Sequence, residues 1–464
     1  MALSAERLVR LLEQTRGVDE WAAFETRVLR VARETGARPS RSSAETIALG
    51  AVVFHDTERG RGTSRLSLDI EGGDEGHARA LIERAVERAG LSLGPAWGLP
   101  APAAPARVSV ADPDIAGDPS GAVDEVVGQL GAASGKQAAI GRARVDAEWR
   151  SHLAETSRGF ASQYQSTAIG FDVAVGAVGG ALLEPLRVRV SSAGQLSVQR
   201  RLTEAARDAG RRAAARPLEP GRFDLLLRAR AIAPGGLQAP ADAAGYGWFA
   251  PLVANADGEW ARLGIGRYRP GQPVFGPAPR STRSARPPGT DALTGAGGPA
   301  LAETEADPFT LSSDGTIDFA PMSAPFGDLG EPVRRFDIVR AGAAADLALD
   351  YREAALARAL SNGGVRNLVL APGRTPASRL AEGGRRPVLE IDELAWLDVD
   401  PRSGALTAGI RLGQVRGAAV ASGLVVGNAF DLLARARLSA ETTTLGWYRG
   451  PVALRIDGVD LAAS

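Results

Sequence analysis

The chain lacks cysteine altogether and holds only three histidines, His55, His77 and His152, in 464 residues. Without cysteine there can be no disulfide, no thiolate zinc ligand and no cysteine nucleophile. A zinc peptidase needs two imidazoles about one helical turn apart and a carboxylate that activates water. The histidines are separated by 22 and 75 residues, so no two share a helical face, and we interpret them as surface or helix-capping residues. The sequence predicts no metal ligand and no catalytic residue in this chain.

The chain also lacks a net charge of either sign. The sequence has 54 basic and 54 acidic residues, which gives a formal net charge of zero. No global field therefore attracts nucleic acid or an anionic membrane, and we expect neither as a partner. Runs of about eighteen apolar residues, the minimum for a spanning helix, are absent, and the N-terminal segment does not resemble a secretory signal. We therefore expect a cytoplasmic protein.

The length of the chain, 464 residues, indicates two or three domains. A linker rich in proline and alanine ends near residue 106, and Pro217 and Pro220 mark a second break. We predict an α+β fold in which N-terminal α/β two-layer units precede a β-rich C-terminal domain. The predicted units are an N-terminal α+β domain over residues 1–106, a central α+β domain over 107–220, and a C-terminal domain over 221–464. Residues 269–308 are predicted to form a flexible loop, either a mobile surface loop or an arm that contacts a partner.

Hydrophobic periodicity predicts the individual elements. Two helices are predicted to open the chain, one through Leu8, Leu11 and Leu12, and one through Trp21, Phe24, Val28 and Val31. Residues 47–54 and 66–70 alternate on either side of a glycine-containing turn, which predicts a hairpin. Asp74 is predicted to cap a helix that Gly90 ends. Further helices are predicted over residues 122–130, 202–215 and 343–360, and strands over 167–175 and 186–190.

Residues 312–373 carry the densest set of polar side chains and turn residues. The short turns SDGT and SAPFG in this segment offer backbone donors, hydroxyl groups and glycine conformations. The carboxylates could form an acid/base pair or a calcium site, but interspersed arginines can neutralise them, and we favour ion pairs. The residues concerned are Asp314, Asp318, Asp328, Glu331, Asp337 and Asp346, with Arg334, Arg335 and Arg340.

The same segment and the residues after it resemble the C-terminal domain of the TldD/PmbA family, in its PmbA (TldE) branch once called modulators of DNA gyrase. A Phe-Asp segment, an Asn-Leu strand that ends in Pro-Gly, an Asp-Pro-x-x-Gly element and the run GNAFDLL at residues 427–433 carry the resemblance. The N-terminal half resembles the family in layout, including the turn TSRGF, where Thr156 stands in place of the usual asparagine. The matching positions are Phe319, Phe336, Asp337, Asn367, Leu368, Pro372, Gly373, Asp400, Pro401 and Gly404.

The resemblance implies a heterodimeric zinc peptidase in which a TldD subunit supplies a His-Glu-x-x-x-His helix and the PmbA-type subunit supplies none. This chain would then be the metal-free subunit, which shapes the cavity and helps to hold a peptide or an unfolded segment by strand-like pairing. Zinc is expected in the partner, and no cofactor is expected in this chain. The candidate residues for substrate binding or for the partner interface are Asp314, Thr316, Asp318, Ser323, Phe326, Arg334, Arg335, Asp337 and Asn428.

Two alternatives remain open at this point. The chain could be a non-enzymatic, homodimeric module of the same fold that binds peptides or proteins. It could also be a self-contained serine or carboxylate hydrolase, an interpretation that depends on the acidic cluster and on the run GLSLG around Ser92. The second alternative has a weak basis, because GLSLG follows a predicted helix, whereas a nucleophile elbow requires a strand, a turn and then a helix.

Overall fold

A computed structural model describes residues 3–36, 38–69, 74–180, 184–235, 239–275, 306–382, 384 and 386–463. The N-terminal part is built on one antiparallel sheet with the strand order β3-β2-β1-β4-β5-β6. Its strands are β1 (Glu20–Glu34), β2 (Ser40–Thr57), β3 (Gly60–Asp69), β4 (Ala139–Thr156), β5 (Ala161–Gly176) and β6 (Glu184–Val190). We call this sheet the N-terminal sheet.

Helices cover one face of the N-terminal sheet. Two of them pack on β1, β2 and β3 around Leu12 and Ile82, and the others pack on the remaining strands around Val126 and Leu202. Asp74 accepts a hydrogen bond from the backbone of His77, as its predicted role as a helix cap requires. The helices are α1 (Ala5–Gln14), α2 (Glu75–Leu91), α3 (Pro113–Gly117), α4 (Pro119–Ala133) and α5 (Val198–Ala213).

The second opening helix predicted from the sequence is wrong, because that segment forms β1. Trp21 and Val31 face the helix layer, whereas Ala22 lies on the opposite face and packs against Phe54 and Tyr351. Both faces of the strand therefore bury apolar side chains near its start. A strand that is buried on one face alternates apolar and polar residues in sequence. Burial on both faces removes this alternation, so the sequence pattern did not identify β1 as a strand.

The described part of the C-terminal half contains two sheets. A sheet that we call the mixed sheet has the order β11-β10-β9-β12-β19-β18, and the pairing of β13 with β14 closes a second sheet into a barrel of β13, β8, β20, β16 and β14. The strands are β7 (Arg216–Pro217), β8 (Gly221–Arg228), β9 (Leu311–Asp314), β10 (Phe336–Arg340), β11 (Ala343–Ala344), β12 (Asn367–Leu370), β13 (Val388–Val399), β14 (Ala405–Val415), β15 (Ala418–Ala421), β16 (Gly423–Asn428), β17 (Arg437–Leu438), β18 (Thr442–Leu445), β19 (Tyr448–Pro451) and β20 (Ala453–Ala463).

One large core fills the space between the barrel and the mixed sheet. Trp248, Phe249, Trp447 and Tyr448 are almost fully buried in it. Short helices connect the strands: α6 (Ala229–Ile232), α7 (Ala250–Asn255), α8 (Gly258–Arg262), α9 (Tyr351–Ala357), α10 (Ala377–Ala381) and α11 (Ala429–Leu433). The α+β class predicted from the sequence is confirmed. In the part of the chain that the structure describes, none of the helices has the length and apolar character needed to cross a bilayer.

The long helix predicted over residues 343–360 is reduced to α9. Asp350 caps this helix by accepting a hydrogen bond from the backbone N–H of Glu353 at 2.8 Å. The N–H groups before it are engaged elsewhere, since that of Ala348 donates to the carbonyl of Ala256 at 2.7 Å and that of Leu349 donates to the Asn362 side chain at 2.9 Å. The residues before α9 have high helix propensity, but their N–H groups already donate to distant acceptors. These tertiary hydrogen bonds replace the helical ones, because each N–H needs only one partner.

The other predicted elements agree with the structure where it describes them, except that Gly90 does not end α2, which continues to Leu91. Strands β2 and β3 form the predicted hairpin, of which Ile70 lies outside the described residues. Ser92 is the C-terminal cap of α2, which is not the setting of a nucleophile elbow. Of the loop predicted over 269–308, residues 276–305 lie outside the described residues. The division into three domains stays a prediction; the N-terminal sheet runs across its first boundary, because β1 pairs with β4.

Candidate functional site

A polar groove crosses the face of the mixed sheet that is turned away from the core. Along β9, Leu311 points into the core, so its neighbours Ser312 and Asp314 point into the groove. The groove has a volume of about 500 Å³. We call it the sheet groove, and it is lined by Thr310, Ser312, Asp314, Ile317, Arg335, Asp337, Val369, Leu370, Ala371, Pro372, Thr442, Arg449 and Gly450.

The two carboxylates in the sheet groove are already hydrogen-bonded. Asp337 accepts hydrogen bonds from the Ser312 hydroxyl at 2.7 Å and from Nε of Arg340 at 2.8 Å. Burial acts to raise the pKa of Asp337, but these two hydrogen bonds lower it overall. Asp314 accepts from the backbone N–H and the hydroxyl of Thr316, at 2.8 and 2.7 Å. Both groups are thus fixed acceptors, and Asp337, with its lowered pKa, is poorly suited to act as a general acid.

The arginines of the sheet groove are differently placed. Arg335 and Arg449 have no ion-pair partner among the residues that the structure describes, although both line the groove. The ion pairing favoured by the sequence therefore holds for Asp337 with Arg340 at 2.8 Å. Arg335 forms no direct ion pair with Asp337, although its charge also lowers the pKa of that carboxylate. Two guanidinium groups with free donors, beside several hydroxyl groups, can bind carboxylates and backbone carbonyls of a ligand.

A loop over residues 314–324 forms one wall of the sheet groove, and Asn367 holds it in place. The Asn367 amide donates to the carbonyl of Asp314 at 2.8 Å and to the hydroxyl of Ser323 at 3.0 Å. Its amide oxygen accepts from the backbone N–H of Met322 at 3.1 Å. Asp318 ties the loop to the N-terminal half, because it accepts from the backbone N–H of Ser109 at 2.7 Å. We call this segment the 314–324 loop.

The candidate residues from the sequence fall into separate places. Asp314, Arg335 and Asp337 meet in the sheet groove, and Thr316 supports Asp314. Asp318 and Ser323 fix the 314–324 loop, and the Arg334 side chain is exposed. Phe326 is 1% exposed in an aromatic cluster with Phe160 and Tyr164, and Asn428 caps α11 by accepting from the backbone N–H of Phe430 at 3.0 Å.

The sequence did not identify Thr442 and Arg449 as groove residues. They lie on β18 and β19, far along the chain from the segment that drew attention. Only the parallel pairing of β12 with β19 brings them beside Val369. A local motif carries no information about such a pairing, so no signal in the sequence could have located them.

The described residues do not fit the zinc ion that a metallopeptidase requires. All three histidines are described, and they lie apart: His55 hydrogen-bonds to Asp19, His77 lies in the first turn of α2, and His152 lies in β4. The interpretation of His152 as a surface or helix-capping residue is wrong, since its side chain is buried in β4 and burial lowers its pKa. No cluster of three or more potential metal ligands occurs in the described part of the chain.

Glu331, beside the aromatic cluster around Phe326, is expected to make the stability of the fold depend on pH. Its side chain is buried, one oxygen accepts from the backbone N–H of Leu329 at 2.8 Å, and burial raises its pKa above the ordinary 4.5. A raised pKa in the folded state favours the protonated form, so its contribution to stability is fully present below the unfolded value and is lost as pH rises through the folded pKa. Relative to Glu331→Gln, which cannot ionise, we expect the wild type to lose stability as pH rises from 4.5.

Denaturant unfolding of both proteins between pH 4 and pH 7 would measure this difference. Glu13→Gln, at an exposed position on α1, is the control and should change the stability profile little. A constant stability difference between the wild type and Glu331→Gln across this range would contradict the expectation.

Comparison with known proteins identifies one matching domain family and several solved structures with a similar fold. Residues 302–463 match the family described as the PmbA/TldA metallopeptidase C-terminal domain. No curated protein matches the chain in sequence. Solved structures share the fold over almost the whole chain. A proposed modulator of DNA gyrase from Bacteroides thetaiotaomicron has a TM-score of 0.73 at 12% identity, with 99% of this chain and 98% of that chain covered.

Two further structures show the same fold. TldE from Thermococcus kodakarensis has a TM-score of 0.68 at 16% identity, with 99% of both chains covered. A proposed DNA gyrase modulator from Thermotoga maritima has a TM-score of 0.66 at 14% identity, with 98% of this chain and 99% of that chain covered. Residues 302–463 therefore match the C-terminal domain of the PmbA/TldA family, and the chain shares the fold of these solved structures over nearly its full length.

Proposed function

We propose that this chain is the metal-free subunit of a cytoplasmic, heterodimeric zinc metallopeptidase of the TldD/TldE type, which cleaves peptides or unfolded protein segments. A TldD-like partner would supply the zinc ion and the chemistry. The observation that carries the proposal is the combination of a built polar groove on a metallopeptidase-family domain with histidines that are too far apart in the fold to share an ion.

The sheet groove has features that suit an extended peptide. Arg335 and Arg449 offer guanidinium donors, and the hydroxyl groups of Thr310 and Thr442 offer weaker hydrogen bonds. Ile317, Val369 and Pro372 form apolar surface between these groups. A lining that contains both polar and apolar side chains can contact both the backbone and the side chains of an extended peptide.

Strand β18 offers a backbone contact to a peptide. It stands at the end of the mixed sheet and pairs only with β19 in the described part of the chain. An edge strand presents N–H and C=O groups that can pair with a further extended segment, and such pairing gives affinity that depends little on peptide sequence. This property suits a peptidase subunit that accepts unfolded segments of varied sequence.

The role of this chain's residues is then to bind and orient. Holding a peptide bond in a fixed position relative to the catalytic groups of a partner removes translational and rotational freedom before the reaction. No step of the chemistry is assigned to Asp314 or Asp337, because both carboxylates are engaged within the chain. They accept hydrogen bonds from Ser312, Thr316 and Arg340 and so fix the positions of these side chains.

The proposal is tested by purifying the chain alone, a TldD-like partner alone and the two together. We expect zinc and cleavage of casein or of short peptides only where the partner is present, with more cleavage in the pair than in the partner alone. A partner variant without its zinc-binding histidines is the control for metal-dependent cleavage. Cleavage by the isolated chain would reject the proposal, and a peptide-binding homodimer that forms no pair would favour the non-enzymatic module.

A further inference from the structure

The N-terminal sheet has a charged face opposite its helices. Apolar residues of β4 such as Val145 and Ala147 face the helix layer, so Glu148 and Arg150 project from the other side or lie at its margin. The cross-strand partner of Glu148 on β1 is Arg30. Strand alternation thus gathers charged side chains on the side of the sheet where the 314–324 loop lies.

Glu148 is surrounded by more positive charge than it can neutralise. Its side chain is 8% exposed, and it receives hydrogen bonds from Arg30 at 2.6 Å, Arg150 at 2.8 Å and Arg189 at 3.1 Å. Asp146 also pairs with Arg189. Burial acts to raise the pKa of Glu148, but the hydrogen bond from Arg30 and the charges of the other two arginines lower it overall. Three guanidinium groups are matched by two carboxylates, which leaves one positive charge in excess.

A cavity of about 300 Å³ lies between this cluster and the 314–324 loop. Arg366, from the C-terminal half, adds a further guanidinium group to its wall. Its Nε donates to the carbonyl of Gly363 at 3.1 Å, and its charge also acts on the buried Glu331, whose raised pKa favours the neutral form. Val110, Pro321 and Met322 form an apolar part of the lining. We call this the arginine cavity.

We propose that the arginine cavity binds the free C-terminal carboxylate of a peptide, with the side chain of the last residue against its apolar wall. The inference deepens the proposed function, on which it rests for its biological setting, by naming peptides with a free C-terminus as the substrate class. A partly enclosed excess of positive charge is unfavourable without a counter-charge, and planar guanidinium groups match a carboxylate through paired hydrogen bonds.

The mixed lining favours a terminal peptide residue over an inorganic anion. Phosphate would engage Arg150 and Arg366 but would leave the surface of Pro321 and Met322 without a partner. A C-terminal residue with a medium-sized apolar side chain uses both parts of the cavity. Ligand sites commonly combine apolar walls with a few placed polar groups in this way.

Calorimetric titration of the isolated chain tests the inference without any requirement for cleavage. The probes are acetyl-Ala-Ala-Leu with a free carboxylate, the same peptide as its C-terminal amide, and inorganic phosphate. We expect the carboxylate peptide to bind about tenfold to a hundredfold more tightly than the amide, the range that charge-assisted hydrogen bonds support. Equal affinity for the two peptides, no binding, or a phosphate affinity that matches the carboxylate peptide would overturn the proposal.

Three variants assign the binding to the cavity. Arg150→Gln leaves Glu148 with Arg30 and Arg189, and Arg366→Gln removes the guanidinium from the opposite wall; each should weaken the carboxylate peptide about tenfold or more. Arg187→Gln is the matched control, since Arg187 lies on the same sheet, pairs with Asp172 and does not line the cavity. It should change affinity by less than about twofold. Circular dichroism confirms that each variant is folded, and an equal loss in all three would reject the site.

The outcomes separate this inference from the proposed function. Binding of the carboxylate peptide to the isolated chain, with no cleavage by the reconstituted pair, would sink the peptidase role and leave the site standing. Cleavage by the pair that is equally fast for free and amidated peptides, with no binding to the isolated chain, would sink the site and leave the peptidase role.

Discussion

Replacing Asp224 by alanine is expected to lower the free energy of unfolding by about 3–5 kcal/mol, the cost of leaving a buried ion pair without one partner. Asp224 on β8 and Arg455 on β20 are 3% and 2% exposed, and their nearest atoms are 2.9 Å apart. Asp224 also accepts from the backbone N–H of Gly458 at 2.9 Å, where the register of the two strands shifts. The variant removes both interactions at once. Arg455 would keep Asp457 at 2.6 Å as an ion-pair partner, but Asp457 is 37% exposed and does not replace the buried carboxylate of Asp224.

Denaturant unfolding at neutral pH measures the effect, and Asp460→Ala is the matched control. Asp460 lies on the same strand β20 and forms an ion pair with Arg222 at 3.7 Å, but its side chain is 82% exposed. Exposed pairs of this kind contribute at most about 1 kcal/mol. A loss for Asp224→Ala no larger than that of the control would show that the buried pair does not hold β8 to β20.

Charge reversal in the sheet groove is expected to have the largest effect on activity. In the double variant Arg335→Glu and Arg449→Glu, four carboxylates would line the groove, because Asp314 and Asp337 are already there. Each lost charge-assisted hydrogen bond to substrate costs about 1.5–3 kcal/mol, so kcat/KM of the reconstituted pair should fall by about tenfold to a hundredfold or more. The prediction rests on the proposed peptidase function, and peptide cleavage is the measurement.

Arg379→Glu serves as the control for the change in charge. Arg379 is 71% exposed, pairs with Glu382 and lies outside the groove. Gel filtration of each variant with the partner establishes that the pair still forms, so a loss of cleavage can be assigned to the groove. If the double variant formed the pair and cleaved peptides at the rate of the wild type, the groove would not be the peptide-binding surface.

Local chemistry made much of the fold predictable. The cap formed by Asp74, the β2–β3 hairpin and the amphipathic helix α5 each depend on residues within a few positions of one another. Prediction failed where distant groups decide the structure. Strand β1 is buried on both faces, and the segment before α9 gives its N–H groups to Ala256 and Asn362 instead of a helix. Neither circumstance can be detected in a window of ten or fifteen residues.

For the candidate site too, local patterns in the sequence were informative and contacts between distant segments were not. Turn-forming residues and neighbouring charges led to Asp314, Arg335 and Asp337, which do lie together in the sheet groove. Arg449 reaches the groove through a parallel strand pairing, and the arginine cavity forms only because Arg366 meets side chains from the N-terminal sheet. Surfaces made from two parts of a chain leave no contiguous pattern in its sequence.

The central position of β1 in the N-terminal sheet has a consequence for biosynthesis. As the nascent chain leaves the ribosome, β1 and β2 can pair at once, but β4 follows only after the whole of α2, α3 and α4. Until then one edge of β1 has no neighbouring strand, and an unpaired strand edge can form non-native pairings with other segments or chains. The helices that emerge before β4 can cover one face of the β1–β2 hairpin. The unpaired edge of β1 stays exposed until translation has passed residue 156.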